Sequence, residues 1–185
     1  NDLEHKFARL GEAVHITDGG QIEGYASLFD MVDQGGDVVG KGAYAASLAA
    51  LAGQGRKVKM LWQHDAGQPI GVWDDVIEDG RGLFVRGRLL QATQKGREAI
   101  ALIGAGAIDG LSIGYRTVTA SRNNAGQRVL KELELWEVSL VTFPMLPSAR
   151  VAAKGESLEV DAVWREVAAA FDGARLELGR RESRP

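Results

Sequence analysis

Apolar and polar residues alternate in seven segments of the first 145 residues, and glycine-rich or polar turns separate these segments. A period of two is typical of β-strands, because successive side chains of a strand point to opposite faces of the sheet. The chain contains 24 glycines among 185 residues, about twice the usual share, and they fall mainly at the turns. We therefore predict strands over residues 6–16, 21–29, 57–63, 69–77, 83–90, 111–120 and 127–143.

Three helical segments are predicted between and after these strands. Residues 43–51 are rich in alanine and leucine, residues 93–103 begin at a capping Thr93, and residues 158–171 carry an apolar stripe. The sequence thus predicts a mainly β fold (α+β), a roughly seven-stranded antiparallel barrel or sandwich ringed by short helices. The change in character after Pro147 divides the chain into a domain of residues 1–154 and a C-terminal helix with a flexible charged tail, residues 155–185.

The composition argues against several classes of protein. A chain without cysteine has no disulfide framework, no thiolate metal site and no cysteine nucleophile. A net charge of -3 disfavours a duplex nucleic-acid partner, which usually requires a basic surface. Apolar runs stay well below the ~20 residues of a membrane-spanning helix, and the first residues lack the pattern of a signal peptide. We expect no cofactor, no metal, no nucleic acid and no membrane partner.

Of the three histidines, His64 has the sequence position that best suits a catalytic residue. It follows the apolar residues of the strand predicted over 57–63, at the point where that strand ends. The scaffold holds a histidine at a strand end while one ring edge stays open, which suits a general base. The alternative is a polar residue that simply ends a strand. His5 and His15 are expected at the surface, and no neighbouring His or Cys completes a metal site around His64.

The segment GLSIG, residues 110–114, matches the G-x-S-x-G pattern of the α/β-hydrolase nucleophile elbow. That fold requires a histidine after the serine, and no histidine follows Ser112. The segment after it is also β-branched and aromatic, which favours a strand over the helix of an elbow. Within a strand, Gly110, Ser112 and Gly114 share one face, so that a substrate backbone can approach the serine over the two glycines. The alternative is an ordinary barrel strand whose glycines relieve a tight corner.

A serine nucleophile requires a base, and the base requires a third group that fixes its tautomer. The candidates are Asp65, Glu132, Glu134 and Glu137. Asp65 ranks low because neighbouring side chains rarely point at each other, and alternation puts Glu132 and Glu134 on a polar face. The alternation breaks at residues 135–136, which indicates a β-bulge and leaves the orientation of Glu137 open. A carboxylate in that apolar run needs a partner, such as a histidine cation; the alternative is a solvated glutamate on a strand edge.

The chain resembles the prohead (capsid maturation) proteases of tailed bacteriophages, which are related in fold to the herpesvirus assemblin proteases. The resemblance runs from about residue 22 to residue 153. Its most specific segments are DGLSIGY at residues 109–115 and EVSLVTFP at residues 137–144. The other segments that carry it are residues 24–30, 37–39, 42–44, 61–65, 69–71 and 82–85.

The resemblance implies a serine endopeptidase with a herpesvirus-protease-like barrel, in which His64 is the general base and Ser112 the nucleophile. It implies Glu137 as the third catalytic residue, at the position where the herpesvirus relatives have a second histidine. It also implies that backbone N–H groups of residues 145–150 bind the oxyanion. The expected substrates are the major capsid protein precursor or scaffold and the protease itself, inside the procapsid in the host bacterial cytoplasm.

Two other functions and the state of assembly stay open at this point. The first alternative is a non-catalytic capsid scaffold or assembly module with the same barrel, and the second is a small ligand-binding barrel. The latter predicts a deep apolar cavity and no convergence of His64 on Ser112. Self-association into a homo-oligomer is compatible with the sequence.

Overall fold

A computed structural model of the chain describes Glu4–Lys6, Val14–Ile16, residues 20–33 and 35–142, and Val151–Ala152. Side chains are described for residues 20–33 and 35–142. All of these residues belong to one compact unit, Asn1–Ala153, whereas the second unit, Lys154–Pro185, lies outside the described residues. The helix expected over residues 158–171 and the division after residue 154 therefore stay predictions.

The described residues form ten strands and two helices, so the expectation of a mainly β fold with few helices is confirmed. The strands are β1 Glu4–Lys6, β2 Val14–Ile16, β3 Gln21–Leu28, β4 Asp37–Val39, β5 Lys59–Trp62, β6 Asp65–Glu78, β7 Gly82–Leu89, β8 Gly110–Arg122, β9 Arg128–Val141 and β10 Val151–Ala152. The helices are α1 Ala45–Gly53 and α2 Gln94–Gly104. Thr93 caps α2 as expected, because its hydroxyl accepts a hydrogen bond from the Gly96 N–H at 3.0 Å.

All ten strands belong to one sheet in the order β1-β8-β9-β5-β6-β7-β3-β2-β10, and β4 pairs with β9 beside this path. The count exceeds the expected seven because β1, which shares only Lys6 with the segment predicted over 6–16, is separate from β2 in that segment, and because β4 and β10 were not predicted. The pairs β4–β9, β5–β9 and β2–β10 are parallel, so the expectation of a wholly antiparallel sheet is wrong. Parallel pairs join strands that are distant in the chain, which alternation within a segment does not reveal.

The sheet curls, because β3 comes into contact with β8 although four strands separate them in the sheet order. A cross-sheet hydrogen bond supports the curl: the Trp73 Nε1–H of β6 donates to the Val138 carbonyl of β9 at 3.2 Å. The described strands thus form a curled, open half-barrel. Its core contains buried side chains from the strands and from α2, among them Leu111 and Ile103, together with Tyr44 just before α1, and the partly buried Leu48 and Leu51 of α1 pack against it. In the described part of the chain, neither helix is long and apolar enough to cross a membrane.

Candidate active site

Strand β8 presents Ser112 on the face opposite its core side chains. Leu111, Ile113 and Tyr115 belong to the core cluster, so the strand period turns Ser112 the other way. In the antiparallel pairing with β9, Ser112 lies directly opposite Ser139. Side chains that lie opposite each other share a face of the sheet. A side chain that neighbours Ser139 on this face of β9 is therefore close to the Ser112 hydroxyl.

A β-bulge in β9 brings Glu137 onto this same face. Gly114 pairs with Glu137 and the next residue, Tyr115, pairs with Leu135, so Trp136 is an extra residue without a partner on β8. Trp136 is 44% exposed, as expected for a residue that a bulge turns out of the ladder. The predicted irregularity at residues 135–136 is confirmed, and it decides the orientation of Glu137.

The bulge shifts the phase of β9. Before the bulge, the odd-numbered residues Leu133 and Leu135 belong to the core. After it, the even-numbered residues Val138 and Leu140 do. A strand without the extra residue would turn Glu137 toward the core and one of its apolar neighbours toward the serine. One inserted residue thus places a carboxylate where uninterrupted alternation would place an aliphatic side chain.

His64 lies in a two-residue turn between β5 and β6. Trp62 pairs with Asp65, so that Gln63 and His64 alone connect the strands. Both have positive φ angles, 51° for Gln63 and 62° for His64. Positive φ at both central positions is the type I′ arrangement, which usually takes Asn and Gly. Side chains larger than glycine adopt it at a cost of about 1 kcal/mol or more each, and such strain is common at functional sites.

Hydrogen bonds to the end of β9 hold this strained turn. The Gln63 N–H donates to the Leu140 carbonyl at 2.9 Å, and the Gln63 side-chain amide donates to Thr142 Oγ1 at 2.6 Å. The His64 N–H donates to Ser139 Oγ at 3.1 Å. The turn is therefore attached to the strand that carries Glu137, which fixes the His64 ring relative to the carboxylate.

Ser112, His64 and Glu137 form a continuous chain of hydrogen bonds. Ser112 Oγ lies 2.6 Å from His64 Nε2, and His64 Nδ1 lies 2.6 Å from Glu137 Oε1. A carboxylate only accepts hydrogen bonds, so the ring proton is on Nδ1 and the Nε2 lone pair faces the serine hydroxyl. In this tautomer, His64 can take the hydroxyl proton while Glu137 stabilises the resulting cation.

The burial of the three side chains differs in a way that suits this chemistry. Ser112 is fully buried and Glu137 is 6% exposed, whereas the His64 side chain is 16% exposed. A buried carboxylate is costly unless it is hydrogen-bonded or paired, and here each oxygen has a partner: His64 at Oε1, and the Ser139 hydroxyl at 2.5 Å from Oε2. The carboxylate is thus satisfied without full access to water.

The other candidate carboxylates have different partners. Asp65 accepts hydrogen bonds from the Gln68 side chain and from the Gly67 N–H, and these bonds, the former foremost, lower the pKa of the Asp65 carboxyl. Glu134 lies before the bulge and forms an ion pair with Arg116. Glu132 pairs with Thr119 further along the same hairpin. Among the four candidates, Glu137 is the carboxylate in contact with His64.

Gly114 has a neighbour that the sequence did not indicate. A Cβ atom built on it would lie 2.8 Å from the Glu137 Cδ and 2.9 Å from its Cγ. The Glu137 side chain therefore occupies the space beside Gly114, which we expected to be open to a substrate backbone. The absence of a side chain at Gly114 makes room for the carboxylate. Gly110 is buried and pairs with Val141. Substrate contact at either glycine stays a prediction.

For His5, His15 and residues 145–150, the structure does not describe the side chains. His5 lies in β1 and His15 in β2, but their side chains are outside the described residues, as are residues 145–150. Within the described part of the chain, no group of three or more His, Asp or Glu residues is arranged to hold a metal ion.

Sequence reasoning missed Ser139, which touches both Glu137 and the His64 backbone, and it missed the contact of Gln63 with Thr142. A signal for Ser139 was present. Glu137 and Ser139 are two polar residues at a spacing of two within an otherwise apolar run, and this spacing puts them on one face of a strand. The turn left no comparable signal, because Gln63 and His64 stand where a type I′ turn usually has Asn, Asp or Gly.

Comparison of the sequence with known proteins gives three results. A family model described as caudovirus prohead serine protease matches residues 10–162. The chain is 36% identical over 137 residues to the prohead protease of Enterobacteria phage HK97, covering 72% of this chain and 60% of that protein. It is 30% identical over 125 residues to the prohead protease of Escherichia phage T5, covering 67% and 58%. The matched part thus spans about three fifths of each of these two relatives.

The fold is similar to that of a solved structure, the bacteriophage T4 capsid assembly protease. The TM-score is 0.56 at 18% sequence identity, and the match covers 83% of this chain and 98% of that one. At this identity the similarity concerns the fold alone.

Proposed function

The chain belongs to the caudovirus prohead serine protease family, and on that premise we propose that it is a serine endopeptidase of capsid maturation. Ser112 is the nucleophile, His64 the general base and Glu137 the residue that orients His64. The observation that carries this proposal is the pair of 2.6 Å contacts that join the three side chains in that order. A non-catalytic assembly module has no need of a buried carboxylate beside a strained histidine turn.

The first chemical step is attack of Ser112 Oγ on the carbonyl carbon of the scissile peptide bond. His64 Nε2 takes the hydroxyl proton as the new C–O bond forms, and the carbonyl oxygen becomes an oxyanion. Glu137 stabilises the imidazolium through Nδ1–H and keeps the ring in place. The oxyanion-binding N–H groups are assigned to residues 145–150 by family resemblance.

In the second step, the His64 cation donates its proton to the leaving amine and the C–N bond breaks, which leaves an acyl ester on Ser112. Water then enters, His64 takes a proton from it, and the hydroxide attacks the ester carbonyl. The proton returns to Ser112 Oγ when the ester bond breaks. Atoms and charges balance without a cofactor or a metal ion.

The proposed substrates follow from the family. They are the major capsid protein precursor or its scaffold segment, and the protease itself, inside the procapsid within the host bacterial cytoplasm.

We take the curled sheet to correspond to the seven-stranded barrel of the herpesvirus assemblin proteases, with Glu137 where those proteins have a second histidine. Strands β8 and β9, which carry Ser112 and Glu137, support this correspondence. We further propose that residues 1–154 form the protease domain and that residues 155–185 form a separate C-terminal helix and tail. The compact unit Asn1–Ala153 supports the first of these ranges, and the family match over residues 10–162 covers most of it and extends eight residues into the second.

The test of the function is cleavage of purified capsid protein precursor by the purified chain, followed on a gel. We expect shortened capsid chains with the wild-type protein and none with Ser112→Ala, which removes the nucleophile and only one oxygen atom. Ser121→Ala is a matched control, since Ser121 lies near the far end of the same strand, and it should cleave at the wild-type rate. Intact precursor with wild-type protein would favour the non-catalytic assembly module, and cleavage by Ser112→Ala would remove Ser112 from the mechanism.

A further inference from the structure

We propose that Ser139 is a positioning residue for this active site, a role that rests on the proposed function of Ser112, His64 and Glu137. In this role, Ser139 fixes the Glu137 carboxylate and the His64 turn relative to each other. It takes no part in bond making or breaking.

The hydroxyl of Ser139 connects the two supports of the imidazole. It donates to Glu137 Oε2 at 2.5 Å and accepts from the His64 N–H at 3.1 Å. Glu137 Oε1 in turn accepts from His64 Nδ1 at 2.6 Å. The ring, the carboxylate, the serine hydroxyl and the histidine backbone thus form a closed cycle of hydrogen bonds.

The position of Ser139 in the sheet makes this cycle rigid. Ser139 is fully buried and lies opposite Ser112 in the β8–β9 register. It is also the residue of β9 that pairs with Leu61 of β5, just before the strained turn. One backbone position is therefore anchored to the strand of the nucleophile on one side and to the strand that leads into His64 on the other.

Each of the two hydrogen bonds prevents a specific displacement. Without a donor at Oε2, the carboxylate can rotate about its last bond and move Oε1 away from His64 Nδ1. Without an acceptor for the His64 N–H, the turn at Gln63–His64 loses a contact that offsets its positive φ angles. Both displacements move Nε2 relative to Ser112 Oγ, and misplacement by about 1 Å at a reacting centre can cost 10²-fold in rate.

The experiment measures how fast a fluorophosphonate probe modifies the serine of the purified full-length chain. The limiting rate constant of modification reports the activation of Ser112, and the half-saturating probe concentration reports probe binding. Ser139→Ala is expected to lower the limiting rate constant about 10- to 100-fold, with the half-saturating concentration unchanged. Ser139→Thr keeps the hydroxyl and should restore most of the rate.

Ser47→Ala is the matched structural control. Ser47 is also buried, and its hydroxyl accepts a backbone N–H from β9, that of Leu135, at 2.9 Å. Like Ser139→Ala, this variant removes a buried serine hydroxyl that accepts from a backbone N–H, but it leaves the cycle around His64 intact. We expect it to lower thermal stability, though by less than Ser139→Ala, which also leaves Glu137 Oε2 without its donor, and to leave the modification rate at the wild-type value.

A second readout follows the imidazole directly. The Nδ1 proton of a histidine hydrogen-bonded to a carboxylate gives a downfield proton NMR signal, which should be present in the wild-type protein and in Ser139→Thr and weakened in Ser139→Ala. If Ser139→Ala does not fold, Ser139→Cys takes its place, since a thiol is a weaker donor of similar size. A smaller loss in the same direction is then expected.

The outcomes separate the two proposals. If the wild-type protein is not modified at Ser112, the proposed function fails, and the positioning role fails with it. If the wild-type protein is modified and Ser139→Ala or Ser139→Cys reacts as fast, only the role of Ser139 is overturned. A loss of rate equal to that of Ser47→Ala would reduce Ser139 to an ordinary buried serine.

Discussion

Replacement of Gly114 by alanine tests the geometry of the site with a single methyl group. The backbone tolerates the change, because Gly114 is not among the glycines with positive φ. The new Cβ would lie 2.8 Å from the Glu137 Cδ and 2.9 Å from its Cγ. Carbon atoms rarely approach this closely, so the Glu137 side chain has to move.

The size of the movement can be worked out from the structure. The nearest atom to the new Cβ is Glu137 Oε1, so this oxygen has to move farther than the Glu137 Cδ, which itself must retreat from 2.8 Å to about 3.4 Å, a shift of about 0.6 Å. Oε1 accepts from His64 Nδ1 at 2.6 Å, and a shift of about 0.6 Å or more away from the ring lengthens this separation to about 3.2 Å or beyond, past the outer limit of a sound hydrogen bond. A rotation of the carboxylate breaks the bond entirely. We therefore expect Gly114→Ala to lose about 10²-fold in kcat/KM, or about 2.7 kcal/mol of transition-state stabilisation.

The assay compares initial rates of capsid precursor cleavage with thermal unfolding of the same preparations. Because a flexible glutamate side chain absorbs the clash, the cost in stability should be about 1–3 kcal/mol, and the protein should still fold. Gly104→Ala is the control. Gly104 ends α2, and a Cβ there would meet nothing within 4 Å, so that this variant should keep full activity and equal or slightly higher stability.

Full activity of folded Gly114→Ala would refute this reasoning. It would mean that Glu137 reaches His64 from another position or that the contact does not matter for the rate. Equal losses in Gly114→Ala and Gly104→Ala would point to a general effect on the fold.

Two further predictions concern the third member and the domain boundary. Glu137→Gln should lower kcat/KM by about 10²- to 10⁴-fold, because a neutral amide stabilises the His64 cation poorly. The identical change at Glu134, which lies before the bulge, should leave kcat/KM close to the wild-type value. Equal effects of the two substitutions would show that Glu137 is not the orienting group. Limited proteolysis of the full-length chain should leave a resistant fragment that ends near residue 154, as judged by mass spectrometry, and resistance that extends to the C-terminus would contradict the proposed division of the chain.

Much of the sheet followed from local patterns. β3, β7 and α2 lie within one residue of the predicted bounds at each end, because their periodicity is regular and turns or caps bound them. β6 begins four residues before its predicted start, at Asp65. The polar segment 65–68 resembles a turn in sequence, but Asp65 already pairs with Trp62. Local patterns thus miss a strand residue whose pairing is set by the preceding turn.

The position of the carboxylate depended on a feature that the sequence indicated but did not resolve. The break in alternation at residues 135–136 predicted a bulge, and two orientations of Glu137 were compatible with it. The orientation is decided by which residue is extra, and that depends on the register with β8, where Tyr115 pairs with Leu135 and leaves Trp136 out. Register between strands is a tertiary property, so one segment alone does not reveal it.

The surroundings of His64 were beyond sequence reasoning for a different reason. Turns with positive φ are normally recognised by Gly or Asn, and this one contains Gln63 and His64. It is held by contacts with β9, which is distant in the chain and parallel to β5. Local preference and observed conformation disagree at this point, which is common at functional sites, where tertiary contacts offset local strain.

The most direct test of the account is to identify the residue that a fluorophosphonate probe modifies. Intact-mass measurement and peptide mapping of the full-length chain should find one adduct on Ser112, formed rapidly in the wild-type protein and at a strongly reduced rate in His64→Ala. An adduct on another residue, or modification of Ser112 at the same rate when the imidazole is absent, would contradict the claim that His64 activates Ser112.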